Sequence, residues 1–500
     1  MSYLPPPQSR SRQVRERYRK ARRRQLAIFS AAVFLALVVL ALLITAAVML
    51  RGCLQRTSKP APKPKPVARA VLPKLAGTVN LKSVWFVYLD NKAIYAACDT
   101  EGRESGYPNY PVDLLAAYPL TGGRSLWQVQ LDTQVYMLTV AQGQLLCFSQ
   151  FLSEPPRAEL TAYSTADGTA SWSQRIDGAT HSGVCVDGKV ALLGYQLSDG
   201  ARLCAYNIER GAKAWGMKLP LKGLQRGLLD TEATGSFEMF GAGGVSVYHF
   251  LNVVGVVQSE KGKLLREYSA PGFIRSVELD SSARVCYLLT SGQQAGSFAV
   301  QALPVSRGSA VNLVRFSTPD PEGTLLLAEG GRLLVSYIDT PTTGGAPACM
   351  IAGYRNGHDG PLFSQRLEGG VISDISALPG APGDYLLAVN DSVDETRLPQ
   401  GKGRLLRLNG ATGTTEEIAT LKAPVLYLVP FKQQCLVLAR GGDISSYDPA
   451  SASLRRFKRA AQPLLEALLS ADGQRLLVYA VPETTDSSNP FATMQVLVFE

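Results

Sequence analysis

The 500-residue chain offers few side chains with the spacing that chemistry needs. Its three histidines, His181, His249 and His358, stand far apart, and none belongs to a metal-ligand spacing such as two histidines four residues apart on a helix. They read as strand or turn histidines. Asp167, Asp187, Asp199 and Asp472 each precede a glycine, where a carboxylate ordinarily shapes a hairpin tip by bonding to nearby backbone. No pair of them stands out as a general acid and base. Nucleophile-elbow, Walker A and kinase signatures do not occur in the sequence. The expectation is no catalytic residue, no metal ligand and no cofactor.

The elements around these residues begin with an anchor. Residues 26–50 form 25 positions without a charge, LAIFSAAVFLALVVLALLITAAVML, which as a helix would reach about 37 Å and span a bilayer core with some tilt. The run is too long for a cleaved signal peptide. Cys53 follows Leu50-Arg51-Gly52 in a distant likeness to a lipoprotein signal, but Arg51 and the length of the apolar run argue against lipidation. Residues 11–25 carry eight Lys/Arg against five for 51–65, so the N-terminus is expected in the cytoplasm and everything after Leu50 on the far side of the membrane. Residues 1–25 read as a basic disordered tail. Residues 51–75, rich in Pro and Lys, read as a semi-rigid polyproline stalk.

These two flanks own the net charge of +10. Residues 76–500 hold 35 Lys/Arg and 40 Asp/Glu, which excludes the clustered cations a nucleic-acid groove requires. Within this domain no long segment has helical periodicity. Runs of five to eight β-branched, aromatic and leucine residues alternate with Gly, Asp and Asn turns, the pattern of an all-β fold.

Internal repetition decides which β fold. AYPLTGGRSLW, AYSTADGTASW and AYNIERGAKAW align without gaps and place Ala117, Tyr118, Gly123 and Trp127 in register with Ala162, Tyr163, Gly168 and Trp172, and with Ala205, Tyr206, Gly211 and Trp215. The pattern predicts a strand ending at Ala-Tyr, a hairpin whose glycine takes a positive φ, and a return strand carrying Trp between neighbouring sheets. Weaker copies follow at Val257 with Gly262, Ala302 with Gly308, Tyr354 with Gly360 and Phe363, Leu408 with Gly413, and Tyr447 with Ala452. From Tyr118 to Tyr447 is 329 residues in seven intervals, a mean repeat of 47. An earlier hairpin in each unit makes four strands per repeat, the signature of a β-propeller.

Ala-Tyr, a spaced Gly and then Trp resembles the repeat of the pyrroloquinoline-quinone-type propellers, a family that includes quinoprotein alcohol dehydrogenases and the lipoprotein BamB, a scaffold in outer-membrane protein assembly. The likeness covers residues 82–458. Beyond it, LLEALLS, QRLLVYAV and MQVLVFE supply three strands that a strand from 73–81 could complete, locking the ring. Eight motif units and this composite count to nine. Since propellers usually have up to eight blades, eight is the expectation, with seven or nine as alternatives and one unit between Gly262 and Gly413 taken as an insertion in its neighbour. Quinone chemistry in this family implies an adjacent Cys-Cys pair, which this sequence does not contain. The resemblance thus implies the fold and not the activity.

Cys98, Cys147, Cys286 and Cys435 fall on the second strands of different repeats, too far apart to bridge, and read as buried thiols. Cys185 and Cys204 share one repeat on strands that are not adjacent. The functional expectation is a single-pass protein of a bacterial inner membrane. Its periplasmic or extracellular propeller would bind a protein or peptide partner, in envelope-protein assembly by analogy. A propeller enzyme or ligand sensor using the channel or one face, and a structural spacer, are the alternatives.

Overall fold

Turns rich in Gly, Asp and Asn cut the chain into short strands, and neighbouring strands pair antiparallel into four-stranded sheets. The computed structural model describes residues 72–500 apart from 82–83, 101–109, 136, 152–154, 225–236, 293, 295, 319, 341–347, 359, 395–397, 471–472 and 481–493. The predicted tail, membrane span, Cys53 and most of the predicted stalk lie outside the described residues. Among the described residues no helix is long and apolar enough to cross a membrane.

Among the described residues nine four-stranded sheets form. Eight are consecutive blades: 84–135, 137–177, 181–218, 238–269, 274–317, 325–367, 371–421 and 425–459. The ninth blade combines Leu464–Leu469, Leu476–Ala480 and Met494–Phe499 with the N-terminal strand Leu75–Leu81 as its outermost member. The expected closure of the ring by both chain ends is therefore observed, with Leu75 opposite Phe499 and Leu81 opposite Met494. Lys74 and Glu500 extend the ladder by exchanging two backbone hydrogen bonds of 3.1 and 3.0 Å.

The expected eight blades are corrected to nine. Each degenerate unit between Gly262 and Gly413 folds its own complete sheet, so none is an insertion in its neighbour. The packing gives the same count. Nine separate hydrophobic clusters lie one at each blade-to-blade interface, including Leu81, Val84 and Val496 between the ninth blade and the first. An open row of nine blades would have only eight interfaces, so the ring is closed.

Middle strands are covered on both faces, which is why Ala93–Cys98 and Val245–Phe250 are buried at every position and read as unbroken apolar runs. Outermost strands meet solvent along one side, and Ala170–Asp177 accordingly alternates exposed with half-buried residues. Charged residues on that strand, such as Arg175 and Asp177, blunt an edge that could otherwise pair with another chain. All seven described cysteines are free and buried. Cys98, Cys147, Cys286 and Cys435 each sit on the second strand of their blade, and Cys185 and Cys204 on the first and third strands of theirs. Burial pushes the Cys147 and Cys435 thiols up to about 12, where they remain protonated and unreactive at neutral pH.

Strand direction sorts the loops into two faces. Hairpins joining first to second and third to fourth strands lie on one face. Hairpins joining second to third strands, and the links between blades, lie on the other. The described chain enters the ring at the first face, because Leu75 opens an outermost strand there.

Candidate functional site

The repeat motif residues build the interfaces between blades. Ala117, Ala162 and Ala205 are fully buried, and Tyr163 and Tyr206 nearly so. Each Trp opens or enters the outermost strand of its blade and reaches across to the outer hairpin of the next blade. Trp127 Nε1 donates to the Thr165 carbonyl at 3.0 Å, Trp172 Nε1 to Ile208 at 2.8 Å, and Trp215 Nε1 to Ser259 at 2.8 Å. The indole lies on the glycine of that hairpin. Gly211 has φ +66°, and a Cβ there would sit 2.5 Å from Trp172 Cγ, so both its conformation and its missing side chain are needed. Trp127 meets Gly168 and Trp215 meets Gly262 in the same way. Gly123 faces open space, since the strand before it in the ring is the N-terminal one, which has no aromatic residue.

The later blades keep the slot and change its occupant. Phe363 covers Gly413, while in the fourth blade Arg266 takes the position of Trp and donates to the Gly308 carbonyl. Ala452 adopts φ +48° where other units have glycine.

The histidines occupy three different blades. His181 is half-buried with its ring 5.7 Å from Phe250, and burial holds it below the ordinary imidazole range. His249 is 4% exposed and bonds through Nε2 to the Glu238 carboxylate at 2.6 Å, which lowers the Glu238 pKa. His358 lies in an exposed turn. Among the described residues no group of three or more His, Cys, Asp or Glu could hold a metal ion.

Of the singled-out carboxylates, Asp167 accepts from the Thr169 backbone and hydroxyl in its own hairpin, and Asp199 pairs with Arg202 and Lys218. Asp472 lies outside the described residues. Asp187 does more than shape a turn: it accepts from Gly244 N at 3.3 Å and from the Ser259 hydroxyl, bracing the third blade against the fourth. Asp280 does the same for the fifth and sixth blades through Gly331 N at 2.6 Å. A recurring Asp at the end of a first strand, also present as Asp90, was the available sequence signal for these braces.

A different group converges on the channel side. A register shift follows the start of several innermost strands, and the residue after it occupies the same place in successive blades: Asp374 in the seventh, Tyr427 in the eighth, Glu466 in the ninth. Asp374 accepts from Ile375 N at 2.8 Å and from Leu428 N of the next blade at 2.6 Å. Burial nevertheless dominates and raises its pKa to about 6. Burial first, and then the charges of Glu466 and Asp374, raise the Tyr427 phenol, and the Tyr479 hydroxyl donates to Glu466.

Beside this group a recess of about 240 Å³ opens on the face of the blade links. Val371, Leu426 and Tyr427 line it from the innermost strands, and Val393, Leu398 and Pro399 from the hairpin of the seventh blade. That hairpin is long because its strands, Asp384–Val393 and Pro399–Asn409, run 10 and 11 residues. Leu398 is 39% exposed and Tyr427 37%. The lining is thus largely apolar, with Asp320 and Ser373 as its polar members and the carboxylates of Asp374 and Glu466 nearby, an arrangement suited to gripping a polypeptide side chain. The sequence reading missed this site, because its residues come from three repeats with no fixed spacing.

Residues 113–314 match the family model of the outer membrane protein assembly factor BamB. No curated protein matches the chain. Among solved structures, BamB from Moraxella catarrhalis is similar at 12% identity over 86% of this chain and 100% of that one, with a TM-score of 0.41. A quinohemoprotein alcohol dehydrogenase from Pseudomonas putida HK5 is similar at 13% identity over 86% of this chain and 76% of that one, with a TM-score of 0.41. The computationally designed protein Ika8 is 11% identical over 73% of this chain and 96% of its own, with a TM-score of 0.41.

Proposed function

We propose that this chain is a membrane-tethered scaffold whose nine-bladed ring binds an exported polypeptide at the apolar mouth formed by blades six to eight. The observation that carries the reading is the exposed pair Leu398 and Tyr427 around the recess. Exposed apolar residues at a concave site favour a partner that can cover them. The match of residues 113–314 to the BamB family model supports a role in envelope-protein assembly. The charge-free run 26–50 and its basic inner flank support a bacterial inner-membrane anchor with the N-terminus in the cytoplasm. The ring would then lie in the periplasm or outside the cell. The mouth is on the face opposite to the one where the strand Leu75–Leu81 begins.

Affinity capture of the full chain from membranes washed at alkaline pH tests both halves of this reading. The protein is expected to stay in the washed membrane and to bring down an envelope polypeptide. The Leu398→Asp, Tyr427→Asp double variant, altered only at exposed positions, should stay in the membrane and lose at least tenfold of that partner. Release by the alkaline wash would refute the tether. Undiminished capture by the variant would refute the mouth.

A further inference from the structure

The sequence holds two Asn-Gly pairs, Asn356-Gly357 and Asn409-Gly410. In such a pair the glycine backbone nitrogen can attack the asparagine carboxamide, because glycine has no Cβ to obstruct the approach. Both pairs open the outer hairpin of a blade. Asn356 follows the third strand of the sixth, Ala348–Arg355, and Asn409 ends the third strand of the seventh, Pro399–Asn409. The two hairpins are held very differently.

Asn409 is half-buried and tied down. Its Oδ1 accepts from Ala411 N and Thr412 N at 3.0 Å each and from the Thr412 hydroxyl at 3.1 Å, while Nδ2 donates to Asp384 at 3.3 Å. Gly410 N is engaged as well, donating to the Gly383 carbonyl at 2.8 Å. Carboxamide and nucleophile are both committed to other partners. Asn356 is exposed, and neither its side chain nor the Gly357 nitrogen makes a hydrogen bond among the described residues. The turn is closed by His358 N, which donates to the Arg355 carbonyl at 3.1 Å. Gly357 has φ +76°, and neither it nor Gly360 has any atom within 4 Å of where a Cβ would stand. No side chain presses on this hairpin as Phe363 presses on Gly413.

We propose that the fold makes Asn356 a self-modification site, deamidated by water without an enzyme. Gly357 N bonds to Asn356 Cγ, and Nδ2 departs as ammonia with the proton that Gly357 N has lost, leaving a five-membered cyclic imide. Water then adds to one of the two imide carbonyls and breaks its bond to nitrogen. Opening at Cγ gives aspartate. Opening at the backbone carbonyl gives isoaspartate, with the main chain rerouted through Cβ and Cγ. One carboxamide and one water are consumed, and one carboxylic acid and one ammonia are produced. At neutral pH an exposed acid of this kind is ionised, so the hairpin gains a negative charge beside Arg355 and His358. The site is independent of the mouth and of the anchor.

Peptide mass spectrometry tests the assignment on the detergent-solubilised full chain, aged at mildly alkaline pH in heavy-oxygen water and digested in ordinary water. The peptide carrying residue 356 should gain about 3 Da, the sum of the conversion and one heavy oxygen atom taken from the solvent. Both aspartate and isoaspartate should appear there, as the two openings of the imide require. Position 409 should convert about tenfold more slowly or less, since its groups must first be freed by local opening. In concentrated urea the two positions should react at similar rates. No conversion at 356, aspartate alone, or equal rates at 356 and 409 in the folded chain would overturn the proposal. So would a preference for 356 that persisted in urea, because the choice would then lie in local sequence and not in the fold.

Discussion

Trp172→Ala is expected to lower the stability of the ring by about 3 kcal/mol, the lower part of the range for removing a large packed aromatic. The lower part applies because the ring of Trp172 is half-buried and not enclosed. The loss has two sources: the packing of the indole on Gly211, and the hydrogen bond from Nε1 to the Ile208 carbonyl, worth about 1 kcal/mol. Gly211→Ala should be damaging for the reciprocal reason, since a Cβ would sit 2.5 Å from Trp172 Cγ and the backbone is at φ +66°. A double-mutant cycle separates this account from general fragility. Once the indole is gone the added methyl has room, so the double variant should cost about 1 kcal/mol or more less than the sum of the singles. Urea unfolding of the four proteins measures it, and strict additivity would show that Trp172 and Gly211 do not act as a pair.

Deleting residues 72–81 should be more damaging still. The strand Leu75–Leu81 supplies the fourth member of the ninth blade and buries Val79 and Leu81 at 4% and 2% exposure. Without it, Met494–Phe499 becomes an unpaired edge flanked by open apolar surface, the condition that invites aggregation. Val79→Asp is the milder test, because it leaves the ladder intact and places a carboxylate among Leu81, Val84 and Val496, at a cost of several kcal/mol. Limited proteolysis should then cut the ninth and first blades first, with rates rising tenfold or more. If cleavage began instead among the middle blades, the closing strand would not be the weakest link.

The strands and the repeat were legible because both rest on local signals. Alternating apolar runs, turn glycines and a Trp at fixed distance from Gly follow from one blade packing on the next. The locking of the ring by 75–81 was legible too, since three strands at the C-terminus lacked a fourth. The blade number was misjudged because the degenerate units had replaced Trp with Arg266, with Phe363 or with nothing aromatic, and the usual size of such rings argued for one fewer. Packing explains why nine is tolerated: each interface is made by one pair of blades, and it closes with Phe363 packed on Gly413 or with Arg266 hydrogen-bonded to the Gly308 carbonyl in place of an indole.

The mouth was not legible. Asp374, Tyr427 and Glu466 fall in equivalent places only after a register shift in each innermost strand, and a shift of one residue is invisible to a pattern of alternation. Asp187 illustrates a smaller gap. Its neighbour Gly188 marks a turn, but its bond to Ser259 of the next blade depends on a contact 72 residues away in sequence.

The central claim is that the mouth engages a polypeptide. Site-specific photocrosslinking in intact cells tests it most directly, with the photoreactive residue at Tyr427, at Leu398 and, as a control of greater exposure on the opposite face, at Leu126, which is 58% exposed. The account predicts a discrete adduct to one exported polypeptide from positions 427 and 398 and none from 126. Equal labelling at all three positions, or none at 427 and 398, would contradict it.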